Sequence, residues 1–429
     1  MVRGKQLTPF ILAISVAIPG IYLRLAHVHL EPPLQALVSG AAIMGAAFLL
    51  LWACDAAQKD ISQALALAVV AFIAVLPEYA VDIYFTWQAG KMPESDYANY
   101  AVANMTGANR LLIGVAWTLI VAISYIRSRR PVVLEKERRT ELFFLGLATA
   151  YAFVVVIKHS LTWIDGVVFL GIYVWYMLIA AKRPCEECHI EGPGEVIASL
   201  PKSPRRKVTL ITLAFAAGAI LANAEPFCEG LIGTGKAFHI NEFLLVQWLA
   251  PIASEMPEFV VAIMFALRGQ GGLALGSLVS AKLNQWTLLV GMIPGVYALS
   301  SGAFNPPIPF NDFQIGEIHL TAAQSLLAVV MLAAMRLSPR HALILFTMFT
   351  AQLISPQVVG ALPGGVLFGM NGNQIHMFFS HIYLALAVFL IIRRPGRLID
   401  LRHGLRVAQE PNALIAHESD YNNTSIHKQ

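Results

Sequence analysis

Two carboxylates stand directly after prolines inside apolar stretches: Pro77-Glu78 and Pro257-Glu258. Proline removes a backbone donor and frees the carbonyl a turn earlier. A helix interrupted beside a carboxylate therefore offers two kinds of hard oxygen to a cation. Downstream of each pair lies a small-residue element, ANMTGAN (Ala103 to Asn109) and GSLVSAK (Gly276 to Lys282). Small residues let helix backbones approach closely, and Asn104 and Ser277 fall at the same place in the two elements, supplying neutral side-chain oxygens. Glu78 and Glu258 together suit one divalent cation, or two monovalent ions or protons. Two carboxylates sharing a desolvated site repel, so without a cation at least one is expected to hold a proton, and the pair titrates as a unit.

The stretches around these pairs are apolar enough to lie in a bilayer, yet the second also carries Glu255 and Lys282. An ionisable side chain at the centre of a membrane helix costs roughly 2.5–3.5 kcal/mol even on lenient scales, so such charges mark a path for something polar. Composition agrees with the membrane setting. Of 429 residues, 57% are hydrophobic and 13% charged, against about 45–50% and about 25% in soluble chains. Net charge is only +4, and the basic residues sit in short loops beside apolar runs, which excludes a nucleic-acid partner as the reason for them. Four cysteines are too few for a disulfide framework, and Cys54 and Cys228 fall in or beside apolar segments. No nucleophile and base pair suggests an enzyme, and no cofactor is implied.

About 12 spans of near 20 residues are expected. The first, Leu7 to Leu25, is expected to be a retained helix, since no small-residue cleavage site follows it. The third span (Ile61 to Gly90) is expected to be interrupted at Pro77 and the fourth (Tyr97 to Ile126) at Gly107. The densest charge run, Arg127 to Arg139, sets the cytoplasmic side, and both termini are expected there. Counting spans from that anchor, the third runs inside to outside and the eighth outside to inside. Two similar stretches thus enter the membrane from opposite faces, the pattern of inverted repeats whose discontinuous helices build one midplane site. The fold expected is an all-α polytopic bundle of two inverted five-helix repeats plus flanking helices. Its parts are a flanking helix (1–32), the first repeat (33–183, site hairpin 61–126), a cytoplasmic loop (184–207), the second repeat (208–363, site hairpin 241–299), a second flanking helix (364–394) and a cytoplasmic tail (395–429).

These residues resemble the cation/calcium antiporter superfamily, whose two repeats each look like GTSxPE followed by ALGNxxGSN. The second repeat matches through Met256-Pro257-Glu258 and Ala274-Leu275-Gly276, the first through Leu76-Pro77-Glu78 and Asn104 to Asn109. The resemblance covers the two hairpins, about a quarter of the chain. It implies that Glu78 and Glu258 are the acidic cation ligands and that Asn104 and Ser277 are their polar companions. It also implies departures. The Thr-Ser pair of the family is replaced by Ala74-Val75 in one repeat and by Ser254-Glu255 in the other, and its final Asn by Lys282. Ser254 is retained as a candidate ligand. At about 1.5 Å rise per residue, Asp82, Glu255 and Lys282 fall in one layer about 4.5–7.5 Å outward of the central four, so Lys282 is expected to pair with Asp82 or Glu255. Asn109 belongs to the same second layer. Lys282 is either a tethered cation where relatives bind an extra Na⁺, or half of a static ion pair.

Arg110 reads as a cytoplasmic-side gate or a snorkelling residue. Glu225 and Glu229 read as a solvated helix end, and His376 and His381 as separate interfacial histidines. The string Cys185 to His189 has the form of a haem attachment site, but its expected side of the membrane argues against that, and a zinc site lacks a nameable fourth ligand. The expected activity is secondary antiport of Ca²⁺ or another cation against Na⁺ or H⁺ by alternating access. Monovalent Na⁺/H⁺ exchange on the same fold is the rival, and a non-transporting sensor or scaffold is the alternative of another class. Partners are inorganic cations and the bilayer, with oligomeric state open.

Overall fold

The computed structural model describes residues 2–61, 73, 75–182, 192–304, 306–362, 366–367 and 369–405. The Cys185 to His189 string, Ala74, most of the first half of the third span and the tail beyond residue 405 lie outside them. Among the described residues twelve long helices follow in chain order: α1 (Val2–Leu25), α2 (Pro32–Ala57), α3 (Leu76–Lys91), α4 (Tyr97–Ser128), α5 (Arg139–Lys158), α6 (Trp163–Ala180), α7 (Lys202–Phe238), α8 (Glu242–Leu267), α9, α10 (Asp312–Leu332), α11 (Pro339–Ala361) and α12 (Gly372–Arg393). The α9 helix runs Gly271–Asn284 and then through a π turn into Val290–Ser301. Among the described residues ten helices, all but α3 and α9, are long and apolar enough to cross a membrane.

The two repeats correspond element by element. Both α4 and α9 widen into a π turn, at Leu112–Trp117 and Gln285–Leu289, at the same distance beyond Asn104 and Ser277. Two-residue strands repeat the correspondence. Strand β1 (Val132–Val133, after α4) pairs with β4 (Arg336–Leu337, after α10), and β2 (Ser160–Leu161, after α5) pairs with β3 (Ile308–Pro309, after α9). Exchanging the repeats turns one ladder into the other, register included. Chain alternation through an odd number of crossings puts the two ladders on opposite faces, as inversion requires. Packing follows the same rule: α3 lies on α9, α8 crosses α4, and α2 makes its largest contact with α7.

Proline acts differently in the two halves. Pro77 occupies the second position of α3 behind the Val75 cap, where its missing N–H has no helical acceptor to serve. Pro257, like Pro251, sits inside a continuous α8. The expectation of a broken Pro-Glu helix is therefore overturned in the second repeat, while in the first most of the stretch before Val75 lies outside the described residues. Nor is α4 interrupted at Gly107; the helix runs through it and loosens later, at the π turn. Gly107 serves close approach instead. A Cβ there would fall 1.9 Å from the Gln247 carbonyl oxygen on α8.

Candidate ion-binding site

Glu78 lies in the first turn of α3, buried, with its charge at a helix N-terminus where the peptide dipoles favour an anion. Four residues on, Asp82 is buried on the same helix and accepts a 2.7 Å hydrogen bond from Asn104 Nδ2 on α4. Asp82 thus joins Asn104 and does not form a separate layer with Lys282. From the second repeat, α8 brings Ser254, Glu255 and Glu258, and α9 brings Ser277. Ser254 and Ser277 donate to the backbone of their own helices, at 3.2 Å to Ala250 and 2.9 Å to Ala274, leaving oxygen lone pairs. Gln285, in the π turn of α9, donates to Glu255 Oε1 at 2.7 Å. Glu258, Glu255 and Asp82 all lie close enough to Glu78 for their charges to repel it.

Five acceptor oxygens in this group are buried without a hydrogen-bond donor: Glu78 Oε2, Asp82 Oδ2, Asn104 Oδ1, Glu255 Oε2 and Glu258 Oε2. Each costs about 1–3 kcal/mol if nothing satisfies it. All are hard oxygens and they come from both repeats, which is the donor set of a Ca²⁺-like or Na⁺-like ion or of protons. Among the described residues no three His, Cys, Asp or Glu side chains group closely enough to hold a metal by themselves. Neutral oxygens such as Asn104 Oδ1 must complete any shell.

Lys282 makes no direct contact with Asp82 or Glu255, although Glu255 lies near enough to attract its charge. Its ammonium donates to Asn109 Oδ1 at 2.8 Å and to the Asn109 carbonyl at 3.2 Å, with the Trp286 ring centroid 5.1 Å away. Arg110 is neither snorkelling nor near water. It forms a buried ion pair with Glu317 of α10, and the same Glu317 oxygen accepts from Gln247 of α8 at 2.6 Å, while His376 of α12 lies 2.7 Å from the other. His376 is therefore tied to a buried carboxylate and does not stand apart as expected. Glu317 ends the Pro/Asn-rich stretch from Ser300, a composition that suggests a helix boundary, and its one sign in the sequence is a carboxylate beside the apolar run that follows. Glu225 and Glu229 do not end α7, which continues to Phe238. Glu229 accepts from Tyr84 and Tyr97, each at 2.6 Å, and Glu225 pairs with Arg24 at 2.5 Å.

The family described as sodium/calcium exchanger protein matches residues 32–182 and 208–355. The chain is similar to a protein whose crystal structure is titled as the H⁺/Ca²⁺ exchanger CAX, at 36% identity and TM-score 0.86, with 94% of this chain and 98% of that one covered. A structure of the sodium-calcium exchanger NCX_Mj shares the fold at TM-score 0.50 and 18% identity, covering 76% of this chain and 99% of that one. An uncharacterized membrane protein of Methanocaldococcus jannaschii is 26% identical over 196 residues, 44% of this chain and 60% of that protein. With a family match running through both repeats and the buried acceptor oxygens they share, the chain belongs to the sodium/calcium exchanger family of membrane transporters.

Proposed function

We propose that the chain exchanges Ca²⁺ for H⁺ across the membrane. The observation that carries this reading is the set of five unpartnered buried oxygens on Glu78, Asp82, Asn104, Glu255 and Glu258. Glu78 and Glu258 bind the cation between the repeats, Asn104, Ser277 and Ser254 add neutral oxygens, and Asp82 and Glu255 extend the acidic surface. Ca²⁺ satisfies the carboxylates in one state and protons satisfy them in the other, so one site serves both ions in turn. Similarity to a protein titled as an H⁺/Ca²⁺ exchanger supports the choice of counter-ion. Alternating access follows from the inverted repeats: one part of the bundle rocks against the rest and presents the site to each face. The repeats are placed at 33–183 and 208–363, and the basic face bearing Arg127 to Arg139, with both termini, is assigned to the cytoplasm.

The test is Ca²⁺ uptake into proteoliposomes under imposed pH or Na⁺ gradients, comparing the native chain with Glu258→Gln. A pH-driven flux that Glu258→Gln abolishes is expected. Flux that survives the substitution overturns the site assignment, and a native chain silent under every gradient favours a sensor or scaffold.

A further inference from the structure

Lys282 and Asn109 hold equivalent places in the two repeats, each five residues beyond the polar residue of its ion element, Ser277 and Asn104. An inverted repeat with oxygen-bearing side chains at both places would face them toward each other across the pseudo-twofold axis. Here one of the two has become an ammonium that binds the other. Lys282 is 0% exposed, and its two bonds go to the amide oxygen and the backbone carbonyl of Asn109. Asn109 is itself oriented for this, because its Nδ2 donates to the Met105 carbonyl at 2.9 Å and leaves Oδ1 directed at the lysine. The ring of Trp286 lies beside it, an aromatic face that attracts a cation, and the Glu255 carboxylate acts on it by Coulomb attraction without direct contact. Two neutral oxygens and a π face match the coordination of a desolvated monovalent ion better than that of a structural neutral donor, which would make the same hydrogen bonds without burying a charge.

We propose that the Lys282 ammonium permanently occupies a monovalent-cation position built from Asn109 and Trp286, so that Na⁺ cannot bind there and takes no part in exchange. The inference rests on the proposed ion site and names what sets its choice of counter-ion. Lys282 acts as a specificity residue through occupancy: its four-carbon stem reaches from α9 and holds the charge where a free ion would otherwise sit. It also ties α4 to α9 at the axis, which keeps Asn104 and Ser277 in one frame.

The experiment compares the native chain with Lys282→Ala and Lys282→Met. Readouts are binding of radiolabelled Na⁺ to purified protein, the shift of the thermal unfolding midpoint with Na⁺, and Ca²⁺ uptake under a Na⁺ gradient. The native chain is expected to show none of these responses. Lys282→Ala opens the position and is expected to gain saturable Na⁺ binding, an Na⁺-dependent rise in the unfolding midpoint, and a several-fold stimulation of uptake by Na⁺. Lys282→Met fills the space with an uncharged stem and is expected to stay indifferent to Na⁺. If the alanine variant does not fold, Lys282→Gln supplies the comparison, because it removes the charge and keeps an N–H for Asn109. Native uptake that already follows a Na⁺ gradient overturns the proposal, as does Na⁺ indifference in every variant that folds. The two readings fail separately. Flux surviving Glu258→Gln overturns the site assignment, whereas variants silent to Na⁺ alongside a flux abolished by Glu258→Gln overturn only the role of Lys282.

Discussion

Arg110 and Glu317 form an ion pair with side chains 1% and 0% exposed, joining α4 to α10 through residues 207 positions apart. Gln247 from α8 and His376 from α12 close around the same carboxylate, and the Arg110 guanidinium lies 5.4 Å from the Trp248 ring centroid. Four helices thus meet at one acid.

Removing one partner strands a charge away from water. Arg110→Ala is expected to destabilise the protein by about 3–5 kcal/mol. Replacing both partners with apolar residues, Arg110→Met with Glu317→Leu, is expected to recover most of that loss. Thermal unfolding in detergent reads the comparison. A double variant as unstable as Arg110→Ala would show that the loss does not come from a stranded charge.

At Gly107 the close crossing of α4 and α8 leaves no room for a side chain, since the Gln247 carbonyl oxygen would lie 1.9 Å from an added Cβ. Gly107→Ala is expected to cost about 1–3 kcal/mol, because two backbones must separate. Gly171→Ala is the control. Nothing lies within 4 Å of its added Cβ, so the helical gain of about 0.5–1 kcal/mol from losing a glycine is expected there instead. Unfolding midpoints that rank the two variants the other way would refute the account of the crossing.

Asp60, just beyond α2, receives both arms of the Arg205 guanidinium at 2.8 and 2.9 Å, and Arg206 adds a contact at 3.3 Å. Hydrogen bonding from Arg205 holds the Asp60 carboxyl down to about 2. An acid held below its ordinary value of about 3.9 stabilises the fold above that pH and loses the contribution as pH falls through its folded value. The gap in unfolding midpoint between the native chain and Asp60→Asn is therefore expected to be constant near neutrality and to shrink as the medium is acidified from about pH 4 toward about pH 2. A gap that is unchanged across that interval would count against the ion pair as its source.

Much of the molecule is written in one dimension. Apolar runs of spanning length announce the helices, because a bilayer offers no water to unpaired backbone groups and every crossing must be helical. The Pro-Glu pairs and small-residue elements single out two hairpins because carboxylates are costly in a membrane. The sequence by itself therefore determined the all-helical class, the correspondence of the two repeats and the family, and it singled out Glu78, Glu258 and Asn104 as candidates.

Partner choice was decided in three dimensions. Counting rise per residue gives a depth along a helix but not the rotation of its neighbour, and Lys282, Asp82 and Glu255 at similar depths looked like one layer. In the folded chain Asp82 turns to Asn104, Glu255 to Gln285, and Lys282 to Asn109. Pro257 carries the same local instruction as Pro77, yet α8 runs through it while Pro77 sits in the first turn of α3. In α8 helix packing overrides the local preference. Long flexible side chains amplify this, because an arginine or lysine reaches several ångströms to whichever acceptor the packing leaves bare. Only the tertiary structure could join Arg110 to Glu317 and fasten Lys282 onto its counterpart in the opposite repeat.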